Sequence, residues 1–425
     1  MRLKFEISQD PLKSHYIQYS MKALLTFFLC LLITFAESKV ELGVDVFFKD
    51  GHLSSLKNQN VGLVTNHTGV NANLQATADL LQQHATDFSF VAIFTPEHGF
   101  QGLSYAGEHV EHLKSKIPIY SLHGKTRRPT DDMLKSINVL IFDIQDIGSR
   151  SYTYISTLFF VMEEAAKKGI RVIVLDRPNP MGGKIVDGPM LQENFRSFIG
   201  YINVPYCHGM TIGELAKYFN QEYRIGCKLE VICMRGWKRF MTFKDTGLFW
   251  VPTSPNIPES DTPFFYASTG LIGELGLTNI GIGYTLPFKV IGAPWIKSQE
   301  FAKQLNSQNI PGVKFFPFAY RPFYGLFKGK DCQGVRIVIT DYGKYKPLTV
   351  QYLLIGMLKS LYPKEVGKRL AIIDSKAKDM FCKANGNEEI LSYITKEKYI
   401  VWKMISFQEK ERSAFLEKRE KYLLY

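Results

Sequence analysis

INVLIFDIQDIG (137–148), TYISTLFFVMEEAAKKG (153–169) and RVIVLDRPNP (171–180) stand almost end to end, and their succession decides the fold. The two outer pieces carry unbroken apolar runs, the pattern of strands buried on both faces of a parallel sheet. The middle piece is helical in texture and stops at Gly169 after two lysines, a C-terminal stop signal. Strand, helix, strand in that order is a βαβ unit. Toward the N-terminus the same texture repeats in VGLVTN (61–66), the helical NLQATADLLQQH (73–84), FSFVAIFTPEHG (88–99) and IPIYSLHG (117–124). The expected fold is α/β, a Rossmann-like and mostly parallel sheet with helices on both faces. No GxGxxG follows the first strand and no GxxxxGK[ST] occurs, which counts against a dinucleotide or ATP enzyme. No cofactor is expected.

Past about residue 245 the texture changes. Pro and Gly concentrate in WVPTSPNIPESDTPFF (250–265) and from Gly270 to Gly292; shorter strand-like pieces such as GVRIVITD (334–341) follow. These features predict a C-terminal α+β auxiliary domain over 246–425, beside a Rossmann-like domain over 39–245. Its last helix is expected to turn Phe407, Ala414, Phe415 and Tyr422 inward.

Composition narrows the function classes. The 425 residues are 45% apolar and 22% charged, too apolar for a disordered or coiled-coil chain. A mean hydropathy of -0.08 excludes a polytopic membrane protein. The net charge of +12 admits an anionic partner, but the basic residues are scattered. Near the C-terminus they alternate with acids (Lys410, Glu411, Arg412), as on a solvated helix face. No arginine-rich stretch with interleaved aromatics appears, so no nucleic-acid partner is expected.

Residues 1–38 read as an N-terminal extension and signal peptide. Lys22 precedes a 14-residue apolar run from Ala23 to Ala36, too short for a comfortable span, with Ala36 and Ser38 at signal-peptidase spacing. A buried N-terminal helix is the alternative. The expectation is a start at Met21, cleavage after Ser38, and a periplasmic or secreted protein without lipidation or a remaining membrane span. Five cysteines follow: Cys207, Cys227, Cys233, Cys332 and Cys382. None has paired metal-ligand spacing, and a Cys227–Cys233 bridge is left open.

In an open parallel sheet, ligands bind beyond the carboxyl ends of the strands. The residues there are Asn66 after the first strand, Glu97 and His98 after the second, and Asp143, Asp146, Arg150, Tyr152 and Tyr154 after the fourth. Asp176 and Asn179 follow the fifth. An aspartate after a strand has an ordinary use as a helix cap, and Asp176 fits it. Glu97 is different: it sits between Pro96 and His98-Gly99, in a rigid turn that fixes its side chain over the rim. Asp143 and Asp146, three apart, can both face a cleft from a turn. Two carboxylates with one pKa raised are what glycoside hydrolysis uses. Glu97-His98, Glu108-His109 and Glu111-His112 lack any HExxH-like spacing, so no metal site is expected. His208 reads as positioning a loop or substrate, since Thr211 to Glu214 forms a capping box.

The motifs TNHTG (65–69), FTPEHGF (94–100), FDIQDIGSRSYTYI (142–155), LDRPNP (175–180), HGMTIGELA (208–216), WVPTSPNIP (250–258) and GAPWI (292–296) occur in order along the chain. Together they resemble the bacterial exo-β-N-acetylmuramidase family, a glycoside hydrolase family formerly of unknown function. The resemblance runs from about Val40 to the C-terminus. It implies a cleft between two domains and release of N-acetylmuramic acid from the non-reducing end of peptidoglycan fragments. On this sequence it implies Glu97 as the catalytic glutamate and Tyr152 as its partner, with Asn66, Asp143, Arg150 and Asn179 lining the site. With Asp146 as a further proton-transfer group and His98, Tyr154, His208 and Glu274 as sugar contacts, these form the candidate set.

One stretch departs from the family. Where it carries EGTN, then SxGRGT and PF, this chain keeps Glu274 but reads Ile282 for the arginine and Tyr284 for the threonine. An arginine in a cleft would pair with the lactyl carboxylate of muramic acid. The expected function is an exported glycosidase acting on a peptidoglycan-derived glycan or muropeptide. The alternative is a catalytically weakened glycan-binding protein of the cell envelope. Oligomeric state and retention or inversion are not legible.

Overall fold

The computed structural model describes residues 40–113 and 115–425; the signal-like segment lies outside the described residues. Six strands pair only in parallel: β1 (Asn60–Thr65), β2 (Ser89–Thr95), β3 (Ile119–Ser121), β4 (Val139–Asp143), β5 (Arg171–Leu175) and β6 (Lys228–Ile232). Their order, β3-β2-β1-β4-β5-β6, reverses direction between β1 and β4, the switch point where doubly wound sheets bind ligands. The register sets Thr65 beside Asp143, so the carboxyl ends of β1 and β4 finish level.

The apolar runs divide between two faces because successive side chains on a strand alternate. Val61, Leu63, Val139 and Ile141 pack with Phe47 and Leu81 on one face. Val64, Leu140 and Phe142 pack with Leu158 and Phe159 on the other. Helix Tyr154–Lys168 lies on that second face and ends at Gly169, whose φ of 67° is left-handed. β6 escapes the sequence reading for a physical reason. It is an edge strand, KLEVI, covered incompletely and interrupted by charge.

The C-terminal half holds an antiparallel sheet of β7 (Val290–Ala293), β8 (Val313–Tyr320) and β9 (Cys332–Ile339), with β9 central. Helix Thr262–Glu274 packs on helix Pro347–Leu361, and the apolar core is continuous from the second face of the parallel sheet into this half. The expected last helix is interrupted: Val401–Ser406 and Glu409–Arg419 are separated at Gln408, whose φ is 55°. Phe415 and Tyr422 are buried and Phe407 half-buried, but Ala414 is exposed and the inward position is Arg419. All five cysteines are free thiols, so Cys227 and Cys233 are not bridged. No helix among the described residues is long and apolar enough to cross a membrane.

Arg150 joins the halves. Its side chain is fully buried, with Nη1 donating to the carbonyls of Pro189 (2.7 Å) and Val204 (2.6 Å) and Nη2 to those of Ala384 (3.2 Å) and Asn385 (2.7 Å). Burial pulls its pKa down to about 10, so it stays charged at neutral pH. The expectation that Arg150 orients the sugar is therefore corrected: both of its terminal amino groups are spent on backbone carbonyls. Arg150→Met is expected to lower the unfolding free energy by about 3 kcal/mol in urea denaturation, since buried carbonyls left without donors cost about 1–3 kcal/mol each and do not add fully. Unchanged stability with weakened sugar binding would restore the ligand role.

Candidate active site

A cleft of about 320 Å³ opens at the carboxyl ends of β2, β3 and β4, and the C-terminal half forms its other wall. The first half contributes Glu97, His98, Gly107, His123, Arg127, Tyr152, Thr153 and Phe198; the second contributes Asn256, Tyr266, Glu274 and Phe288. This volume suits a sugar-sized ligand.

Glu97 owes its placement to the turn after β2. Gly99 N–H closes on the Pro96 carbonyl at 3.1 Å, and His98 and Gly99 are both left-handed, with φ of 71° and 78°. Glycine adopts that conformation freely, whereas His98 pays steric strain, offset by its ring Nδ1 meeting the Ser104 carbonyl at 2.7 Å. The Glu97 carboxylate accepts the Gly107 N–H at Oε1 (2.7 Å) and the Thr153 hydroxyl at Oε2 (2.5 Å). His123 Nε2 lies 3.6 Å from Oε1. Burial pushes the Glu97 carboxyl up. Against it, His123, the Thr153 hydroxyl, the Gly107 N–H and His98 together hold the carboxyl below its ordinary value. Burial lowers the His123 pKa despite the pull of Glu97, with Arg127 adding to the lowering. At neutral pH the pair is an ionised carboxylate beside a neutral imidazole.

Tyr152 donates to Thr253 Oγ1 at 2.9 Å and meets the rings of Tyr154 and Tyr266 edge-on, at 4.8 and 6.0 Å. Burial raises its pKa, so it is a neutral phenol. Tyr266 is pushed up to about 12 by the same cause. Across the cleft, Glu274 ends helix Thr262–Glu274; its carboxyl meets solvent, yet the protein packed around it raises its pKa.

Of the candidate residues, Glu97, His98, Tyr152 and Glu274 line this cleft together. The others are placed elsewhere. Asp143 is fully buried, held by Arg177 Nε (2.6 Å) and Thr77 Oγ1 (2.5 Å), and neither it nor Asp146 lines the cleft. Asp146 accepts the Gly148 N–H at 2.7 Å, and burial raises its pKa to about 7. Asn66 accepts from Thr68 N–H and Oγ1, closing its own turn. Asn179 accepts the Met181 N–H and donates to the Met210 carbonyl. Tyr154 donates to the Thr253 carbonyl behind Tyr152. His208 is fully buried, with its pKa lowered to about 3 by burial and by Arg419, and accepts the Met210 N–H. Asp176 caps: it accepts the Gly213 N–H and the Thr211 hydroxyl, beside the Thr211–Glu214 capping box.

Sequence reasoning missed His123, Thr153 and Arg127. His123 had a signal, since it follows β3 at the same sheet edge as the others. Ile282 lies in an adjoining open cavity of about 420 Å³ with Tyr105, Ala106, Asn256 and Tyr324. Tyr284 packs on Tyr320 with ring centres 5.1 Å apart. No group of three or more His, Cys, Asp or Glu able to hold a metal ion occurs among the described residues.

Comparisons with known proteins agree along the chain. The family described as exo-beta-N-acetylmuramidase NamZ has an N-terminal model that matches residues 61–261 and a C-terminal model that matches 264–425. The peptidoglycan beta-N-acetylmuramidase NamZ of Bacillus subtilis (strain 168) is 40% identical over 395 residues, covering 92% of this chain and 93% of that protein. Two solved DUF1343 family proteins of Bacteroides fragilis NCTC 9343 each cover 91% of this chain and 99% of their own. One is 38% identical with a TM-score of 0.85, the other 28% identical with 0.71. Matched from β1 to its last residue, the chain belongs to the exo-β-N-acetylmuramidase family.

Proposed function

We propose that this glycosidase hydrolyses peptidoglycan-derived glycans and releases N-acetylmuramic acid from their non-reducing ends, outside the cytoplasm. One observation carries the chemistry: Glu97 and Glu274 line a single cleft, and their surroundings move their pKa values apart. Such a pair assigns base and acid. Glu97, ionised at rest and fixed by two donors, takes the proton from the attacking group. Glu274 keeps its proton to higher pH and delivers it to the leaving glycosidic oxygen. Tyr152 and Tyr266 remain neutral phenols that hydrogen-bond sugar hydroxyls, and the aromatic wall covers the apolar face of the ring. The family membership and the B. subtilis relative support the substrate class. Export rests on the apolar run Ala23–Ala36 followed by Ser38.

Glu97→Gln is expected to cut kcat about 1,000-fold toward a muramyl–glucosaminyl disaccharide with little change in KM, the scale of a lost proton-transfer group. Full turnover by this variant would overturn the assignment. The pH dependence of kcat/KM follows from the two shifts. The rate should rise with pH through the Glu97 pKa, below the ordinary 4.5, because the base must be ionised. It should fall as pH climbs through the Glu274 pKa, above 4.5, because the acid must be protonated. Glu274→Gln should lower the rate and remove the falling limb; a falling limb that persists unmoved assigns the acid elsewhere. N-terminal sequencing of protein recovered outside the cytoplasm is expected to begin at Lys39, and a cytoplasmic chain beginning at Met1 would refute export.

A further inference from the structure

The cleft presents a charge problem. Two of its lining side chains carry carboxyl groups, Glu97 ionised and Glu274 holding its proton to higher pH, and His123 is held neutral. A sugar bearing its own carboxylate would be repelled there unless a cation received it. Among the described lysines and arginines, Arg127 alone lines the cleft.

Arg127 and its neighbour are used differently. Arg128 is spent on structure, with Nη1 on Glu163 (2.6 Å) and Glu164 (3.0 Å) and Nη2 on the Tyr201 hydroxyl (3.0 Å). Thr126 Oγ1 also accepts the Arg128 N–H at 3.0 Å, so the backbone beside Arg127 is fixed. Arg127 itself is exposed and makes no ion pair or hydrogen bond among the described residues. Its guanidinium lies over the Phe198 ring, 4.3 Å from the centroid, and Phe198 is a wall of the same cleft. Stacking holds the guanidinium plane while leaving its N–H edge open, the arrangement that receives a carboxylate through two parallel hydrogen bonds. Arg127 follows β3 on the side of His123 and Glu97, whereas Ile282 belongs to the adjoining cavity with Tyr105 and Tyr324.

We propose that Arg127 is the anion-reading residue of this cleft and binds the lactyl carboxylate of the terminal sugar. The assignment rests on the muramidase reading above and gives the carboxylate a cation in place of the arginine that Ile282 replaces. It is tested with 4-nitrophenyl β-N-acetylmuraminide and the methyl ester of its lactyl carboxylate, as substrates for wild type, Arg127→Gln and Arg127→Lys. Wild type should prefer the acid over the ester by about 10- to 100-fold in kcat/KM, mostly through KM, the scale of a charge-assisted pair. In Arg127→Gln that ratio should collapse toward one, and Arg127→Lys should restore part of it. An equal ratio in wild type and Arg127→Gln overturns the proposal while leaving the glycosidase standing. If wild type hydrolyses neither compound, the muramidase reading fails, and calorimetry decides Arg127 separately. Wild type binding N-acetylmuramic acid more tightly than N-acetylglucosamine, with the preference lost in Arg127→Gln, supports it. Equal binding of the two sugars by wild type overturns it.

Discussion

One buried cation sets the geometry on which the cleft depends. Among the described residues the Arg150 guanidinium has no carboxylate in ion-pair contact; the dipoles of four carbonyls, from Pro189, Val204, Ala384 and Asn385, meet its charge, with the Tyr206 ring centre 5.8 Å away. Two of the carbonyls belong to loops of the parallel-sheet half and two to the end of helix Ser375–Asn385 in the other half. A planar fork of donors can satisfy carbonyls arriving from different directions; a lysine ammonium on a flexible stem holds no such fixed plane. The next three residues, Ser151, Tyr152 and Thr153, enter the cleft, and so does Ala384, one of the acceptors. Both walls are thus referenced to a single side chain, which neither touches the cleft nor needs to.

From that frame, the state of Glu97 is a matter of competing terms. A carboxylate this buried would ordinarily take up a proton. It stays ionised because its neighbours come from three separate strand ends: the turn after β2 supplies Gly107 and His98, β3 leads to His123, and the segment after β4 supplies Thr153. Glu274 reaches solvent but is desolvated by the protein packed around it without those donors, and its pKa moves the other way. The difference between the two carboxyls is therefore made by hydrogen-bond donors and charge, since desolvation acts on both.

Much of the fold was legible because strands buried on both faces must be apolar throughout, and such runs have few alternative uses. The edge strand β6 was not, since half-exposed positions tolerate charge. For the site, strand order pointed to the rim where the cleft lies, and Glu97 lines that cleft. Side-chain direction was the part that spacing could not supply. Asp143 ends β4 but turns to Arg177 and Thr77 on the other side of the sheet edge, and Arg150 turns into the protein while Tyr152, two residues on, turns to the cleft. Arginine and aspartate look alike in sequence whether they meet a ligand or a carbonyl. Only the count of internal partners tells them apart, and that count is a property of the packed structure.

By the same reasoning, the departure at Ile282 is separate from the two cleft carboxyls. Glu97, the proposed base, lies on the turn after β2, and Glu274, the proposed acid, ends helix Thr262–Glu274 of the C-terminal half. Ile282 sits in a neighbouring cavity that shares Ala106 and Asn256 with the cleft. A change there alters what surrounds the sugar without touching the donors that hold Glu97 ionised. A group that moves a proton must be held closely in place, and Glu97 is tied to the parallel-sheet half through the Gly107 N–H and the Thr153 hydroxyl. A group that reads substrate charge needs only reach and an unspent edge, so a cation can be supplied from a loop such as the one carrying Arg127. On the proposed assignments, reaction and selectivity are held by different elements, so a substitution at one leaves the geometry of the other in place.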